Sequence, residues 1–504
     1  MKFLSMIRKH HIVIAGLTLC VTMVSVFAHE PHEVPPFGDQ PVLFQHTPQE
    51  ALTRGIPPYD SFDFINNIGI GLFVLPHNTL GGLGRPAATG NATPTRREPL
   101  TDAASAFSRL SGVDSTSCVG CHALPNIGGA GDFAVNNFEG AQLSAKPENI
   151  LKTGFNERST PAIQGAGAIE LLGREMTQDL FAIRDKAIET ARRSGKKVRL
   201  PLVSKTVSFG FITAYPNGKV GTREVEGVDE DLVIKPFGRK GTTRSLREFT
   251  VNGLNRHHGL QAVERFGVEQ TGTKDFDEDG VEDELSVGDV TALVIFQAQL
   301  ETPAQQLAPT PEAQRAATAG EALFTDLACA HCHRPRLKLE NTRFCEPYAL
   351  NTPGTFADTS QSFCFDLTTT GAQPRIAPGA SGGAAIRAFT DLKRHQICDA
   401  KNTHFCNERT PERGVAPDQF ITSKLWHSGV GKGLHGHRGD ISTLNEAILA
   451  HGGEATVSRD RYQALNTTQQ ASVVEFLKTL QIPVVAPPPI QLPLGIIPVN
   501  APRR

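Results

Sequence analysis

Residues 328–333 read ACAHCH and residues 118–122 read CVGCH. Each contains Cys-x-x-Cys-His, in which two cysteines form thioethers to a haem and the histidine binds its iron. One copy of so short a pattern can arise by chance, but two copies in one chain reinforce each other. A zinc site would need the cysteine pairs to converge on one metal and has no use for the histidine that follows each. Cys118, Cys121 and His122, and Cys329, Cys332 and His333, are therefore the expected attachment sites of two covalently bound haem c groups. His122 and His333 are the proximal iron ligands. His331, inside the second motif, reads as a solvent-facing residue of the loop. Electron carriers and catalysts share the proximal histidine, so the function turns on what occupies the sixth coordination position.

The rest of the chain agrees with an exported haem protein. Residues 1–28 carry a basic start, an apolar run from Ile12 to Phe27 and a small residue at Ala28, the pattern of a secretory signal peptide; the expected location is periplasmic. An uncleaved anchor is the alternative, although the run is shorter than the roughly 20 residues that span a bilayer. Cys20 falls in this run and lacks the setting of a lipoprotein site. Outside the haem motifs Cys345, Cys364, Cys398 and Cys406 remain. In an oxidising compartment they suggest two disulfides, with near-neighbour pairing preferred and free thiols as the alternative. A net charge of −2 and a pI near 6.8 argue against a nucleic-acid partner.

The 504 residues divide, on this reading, into a signal peptide (1–28), a Pro-rich extension (29–95), two haem domains (96–305 and 306–482) and a Pro-rich tail (483–504). Apolar residues at helical spacing precede each motif, Ala103, Phe107 and Leu110 before the first and Ala316, Leu323 and Leu327 before the second. Each half closes on an apolar helix, one from Asp289 and one from Thr467. The expected fold is mainly α: two tandem cytochrome c-like domains with long loop insertions and a small β-hairpin around Pro216-Asn217-Gly218.

Several segments, SCVGCHALPNIGG, RSTPAIQGAGAIELL, DFDEDGVEDELSVGDVTAL, FTDLKRH and KLWHSGVGKGLHGHRGDISTLNEAILAHGGEA, occur in an order that resembles the di-haem oxidoreductases, relatives of bacterial di-haem cytochrome c peroxidases. The resemblance implies a periplasmic enzyme in which one haem receives electrons and the other meets peroxide or a similar small oxidant. The chain departs from the family at His437-Arg438-Gly439-Asp440, where relatives have His-Asp-Gly-Arg, and at His395-Gln396-Ile397-Cys398, where many have a methionine.

Outside the signal peptide Met176 is the only methionine, 54 residues after His122, and is a candidate sixth ligand of the first haem or an ordinary core residue. For the second haem the candidates are His395, His435 and His437; the last two occupy the region where, by the resemblance, related peroxidases place a methionine or tyrosine. His257 and His258 are reserve candidates or surface residues. If one iron is open, moving a proton between peroxide oxygens needs an acid–base group; Glu170 in an apolar run, helped by Gln164, is the candidate, against an ordinary ion-paired role. Trp426, the only tryptophan, is a candidate on the electron route or a core residue. Asp275, Asp277, Asp279 and Asp283 begin a calcium-loop pattern, against a merely solvated acidic turn. Expected partners are peroxide and a small soluble donor, a cytochrome or a cupredoxin. The competing functions are a non-catalytic di-haem electron carrier and a haem oxygenase acting on an organic substrate.

Overall fold

The computed structural model describes residues 39–41, 45–84, 113–131, 134–137, 156–277, 279–352, 354–369, 375–408, 411–429 and 434–482. The signal peptide, most of the extension, the helix expected before the first motif and the Pro-rich tail lie outside these residues. Met1–Gln40 and Pro41–Arg504 separate as two units, and everything below belongs to the second.

The helices form where capping and burial agree. Helix α1 is Gln49–Arg54, α2 Phe62–Val74, α3 Ala166–Ser194, α4 Leu246–Gly253, α5 Val287–Ala298, α6 Pro311–Asp326, α7 Leu444–Leu449, α8 Thr456–Gln463 and α9 Thr467–Thr479. Helix α5 opens on a capping box between Ser286 and Asp289 and is buried along its length, the mark of a central helix. Thr310 caps α6 with Pro311 at its first position. Helix α9 opens on a capping box between Asn466 and Gln469.

Two helix crossings share one design. Helices α2 and α5 meet where Gly69 faces the Ala292 carbonyl; a Cβ at 69 would fall on that oxygen and meet Phe296 Cβ at 2.7 Å. Helices α6 and α9 meet where Gly320 faces the Ser472 carbonyl, and a Cβ there would meet Phe476 Cβ at 2.9 Å. Four residues after each glycine stands a phenylalanine. Phe73 packs on Phe296 with ring centroids 5.1 Å apart, and Phe324 on Phe476 at 5.4 Å. The same rings reach the motif histidines, Phe73 at 6.2 Å from His122 and Phe324 at 6.3 Å from His333. Glycine is required because the backbones touch, and the phenylalanine then covers the histidine.

The expectation of a mainly α fold is overturned. Among the described residues 38% are helical and 15% are strand, a mixed α/β composition. Strands β3 (Val198–Ser204), β4 (Val207–Ala214) and β5 (Val220–Gly221) form an antiparallel sheet after α3, and β4 and β5 are the hairpin that the Pro-Asn-Gly turn predicts. Before them, β1 (Ala134–Asn137) pairs with β2 (Asn156–Ser159). Later strands of three or four residues pair as β6 (Leu337–Leu339) with β9 (Ala384–Ile386), β7 (Arg343–Glu346) with β8 (Phe363–Asp366), and β10 (Arg394–Gln396) with β11 (Gln419–Ile421). Runs that short show no legible alternation, which is why the sequence reads as loop there.

Leu337, Leu339, Phe344, Phe365, Ala384 and Ile386 of these strands join the core built by α2, α3 and α5, whereas α6 and α9 bury a smaller cluster of their own. Cys345 and Cys364 face each other in the β7–β8 register with their sulfurs at bonding distance, as do the sulfurs of Cys398 and Cys406.

Candidate functional site

The first motif makes a single 3₁₀ turn, Cys118–Gly120, that closes on the Cys121 amide. His122 stands against the next turn, where its Nδ1 meets the Gly129 carbonyl at 3.2 Å. With that proton held, Nε2 is the nitrogen that would bind iron. The turn opens on a cavity lined by Cys118, Cys121, His122, Phe73, Phe249 and Leu293 on its apolar side. Its polar lining comes from Arg158, Asn252, Arg256, His257, His258, Gln297 and Glu412. Burial raises the Cys118 thiol to about 12, so it is neutral.

His257 and His258 are thus lining residues of the first cavity, not surface residues. They close α4, which continues as a π-helical turn, Leu254–His258, a distortion frequent at functional sites. His258 is anchored by the Ser115 carbonyl at 2.6 Å and lies 3.7 Å from Cys118 Sγ; burial pushes it down to about 3. His257 Nδ1 meets the Asp114 carboxylate at 2.8 Å, and the Asp114 amide donates back to the His257 carbonyl at 2.9 Å.

The second motif repeats the arrangement. Its 3₁₀ turn is Cys329–His331, and His333 Nδ1 donates to the Phe389 carbonyl at 3.0 Å. Phe389 has φ +54°, a costly conformation for a side chain of that size, and sits in FTDLKRH, so that segment serves to aim His333. Burial, with His451 next, lowers His333 to about 4. The adjoining cavity is lined by His395, His427, His435, His437 and His451 besides the motif. His331 is exposed.

His395 is unsuited to iron because both ring nitrogens are taken. Nδ1 meets Glu454 at 2.7 Å and Nε2 meets Asp391 at 2.9 Å. Burial acts to lower its pKa, but the Asp391 bond and Cys332 raise it to about 11, so it is an imidazolium. His437 gives Nε2 to Asn407 at 3.0 Å and stacks on Phe420 at 4.5 Å; burial and the charges of Arg158, Arg239 and Lys240 lower it to about 2. His435 lies in a short bridge with Ile441.

A third, smaller cavity shares Pro161, Ile163 and Arg239 with the first and Arg239, Thr422, Lys424 and His427 with the second. Arg239 donates Nη2 to the Ser159 carbonyl, its Nε is buried without a partner, and no carboxylate among the described residues pairs with it or with Lys424. Burial lowers Lys424 to about 8, with Arg239 adding, and lowers Arg239 to about 10, with Arg158 adding. Two such cations fit an anionic group arriving from outside the chain, and haem carries carboxylates. Two histidines with oriented Nδ1 protons, two cysteine pairs and these cations together fit a pair of haems.

Other expected site residues stand elsewhere. Glu170 lines neither haem-motif cavity: Arg174 donates to its Oε1 at 2.5 Å and the Leu246 amide to its Oε2 at 2.7 Å. The reason is its face of α3, which looks into an ion cluster with Glu346 and Arg247. The buried carboxylate that does line the first cavity is Glu412, held by Arg158 at 2.8 Å and Thr242 at 3.0 Å, its pKa lowered by Arg158 against the opposing effect of burial. Gln164 donates to the Ile127 carbonyl at 3.1 Å, and Met176 is fully buried in the main core, neither lining the cavities described above. Trp426 packs at the start of α3, where a Cβ on Gly165 would strike its ring, and donates to the Arg387 carbonyl; its neighbour His427 is the lining residue. Asp275, Asp277 and Asp279 gather their carboxylates within 4.8 Å, while Asp283 faces Lys274 at 3.6 Å, outside the group.

Residues 354–480 match the model of the family described as "Di-haem oxidoreductase, putative peroxidase". No curated protein matches the chain. Among solved structures, hydrazine synthase of Kuenenia stuttgartiensis, pressurised with 20 bar xenon, aligns at 13% identity over 94% of this chain and 100% of that one, with a TM-score of 0.34.

Proposed function

We propose, from a chain whose residues 354–480 belong to the di-haem oxidoreductase family, that this is a periplasmic di-haem c-type enzyme that reduces peroxide. Its electrons come from a small soluble cytochrome or cupredoxin. The balance is two electrons and two protons taken up for each peroxide cleaved to two waters. The observation that carries the reading is the pair of cavities, each opening from a Cys-x-x-Cys-His turn whose histidine is aimed by a backbone carbonyl, that meet at Arg239. Haems held there would supply one-electron chemistry and, at an iron with an open position, a binding place for peroxide.

The chain's own groups divide the work. The His122 cavity is the reaction site, because its lining joins an Asp–His pair to Arg256, Asn252 and Gln297. His257, with Nδ1 tied to Asp114, carries a proton on Nε2 between the peroxide oxygens, the task first assigned to Glu170. Arg256 and Gln297 stabilise charge that develops there. The histidine-rich cavity of His333 receives electrons. Arg239 and Lys424, which line the space between the two cavities, would pair with haem carboxylates.

The test is purified exported protein, weighed and then assayed with peroxide and a reduced cytochrome. Two haem additions and peroxide-dependent donor oxidation, both lost at one haem in His122→Ala, are the expected result. Fewer than two additions, or no turnover with any one-electron donor, overturns it.

A further inference from the structure

A sixth ligand for the second iron has to be a ring nitrogen with its lone pair in the His333 cavity and its other nitrogen anchored, since an unanchored imidazole loses rotational freedom on binding. Of the histidines that line this cavity, His395 has neither nitrogen available. His437 offers only Nδ1, the nitrogen crowded by its own Cβ, because Nε2 is committed to Asn407. His451 meets both requirements. Its Nδ1 donates to the Ala447 carbonyl at 2.7 Å, one turn back on α7, which leaves Nε2 unprotonated.

The position of His451 is rigid. Phe405 packs edge-on against the ring with centroids 5.5 Å apart. The chain turns directly after it: the Gly452 amide donates to the Ile397 carbonyl at 2.8 Å, and Gly453 takes φ +54° where a Cβ would strike the Gln396 carbonyl. The imidazole lines the same cavity as His333.

We infer that His451 Nε2 is the sixth ligand of the iron held by His333, making that haem bis-histidine, low-spin and closed to peroxide. The inference rests on the proposed di-haem reading and assigns a division of labour within it: a bis-histidine haem lies at lower potential than a histidine–methionine one, so it donates readily to the other site.

The experiment uses the full holoprotein. Its haem count is measured first, and fewer than two additions in the wild type overturns the di-haem reading itself. With two haems present, His451→Ala should turn one low-spin haem high-spin and open it to cyanide, and added imidazole should restore the low-spin spectrum. His451→Met should bring a methionine-to-iron charge-transfer band and a higher potential at that haem alone. Unchanged spin states in His451→Ala, or the same conversion produced by His435→Ala instead, overturn the inference while the di-haem reading stands. Should His451→Ala not accumulate, His451→Met decides: no new band and no shift in potential overturn it.

Discussion

At the scale of single residues, the chemistry depends on which nitrogen or oxygen is already taken. Glu170 looked suitable because it lies in an apolar run, yet Arg174 and the Leu246 amide hold its two oxygens in an ion cluster away from both haem-motif cavities. His257 looked like a surface residue, yet Asp114 orients it at a cavity wall. The two readings separate by mutation. His257→Gln should lower peroxide turnover by about 10²–10⁴-fold with little change in Tm. Glu170→Gln should lower Tm by several degrees, through a broken buried ion pair, while the surviving folded protein keeps its turnover. Steady-state kinetics and thermal melts on both variants check this, and equal turnover of His257→Gln and wild type sinks the role assigned to His257.

At the scale of elements, the haem turns are held by helices that touch at glycine, and a loop between α4 and α5 carries three convergent aspartates. In that loop Asp275 accepts from the amides of Asp279 and Gly280 at 3.2 and 3.0 Å, and Gly280 turns the chain at φ +94°. Three carboxylates within 4.8 Å repel one another unless a cation lies between them. Because the loop leads into Ser286, the cap of the central helix, calcium there would stiffen the start of α5. A chelator should then lower Tm by a few degrees, and calcium but not magnesium should restore it; a melt insensitive to chelator marks a solvated turn. The helix crossings were partly readable, since Gly69-x-x-x-Phe73 and Gly320-x-x-x-Phe324 are the same signal. The helix expected around Phe107 lies outside the described residues, and the crossing beside the first motif is made by α2, which ends 44 residues before Cys118.

At the scale of the whole molecule, β7 from the second half of the sequence closes an ion cluster with α3 and α4 from the first. Arg247 pairs with Glu264 at 2.6 Å and Glu346 at 3.4 Å, and Arg174 reaches Glu346 at 3.3 Å. Burial raises Glu346 to about 7; Arg247 opposes this and the charge of Glu170 adds to it. The folded protein therefore holds a proton on Glu346 between its ordinary 4.5 and about 7, where the unfolded chain has released it. Folding binds more protons in that window, so this residue's contribution falls as pH rises through it. Melts of wild type and Glu346→Gln should diverge: the wild-type Tm should decline relative to the variant from pH 4.5 to 7, and parallel curves would refute the shift.

What the sequence determined by itself was whatever is local along the chain. Two five-residue motifs name their cysteines and histidines, Thr310-Pro311 starts a helix, and Pro-Asn-Gly turns a hairpin, because each involves neighbours that interact without help from the rest of the fold. The near-neighbour cysteine pairing was a preference in the sequence, and the structure brings those sulfurs to bonding distance. Only the tertiary structure decided which side chains face the cavities. His451, Lys424, Arg239 and His257 come to the two sites from four separate segments, and no spacing rule links them. Whether a buried histidine or glutamate is available for chemistry depends on partners such as Ala447, Glu454 or the Leu246 amide that packing alone brings within hydrogen-bonding distance.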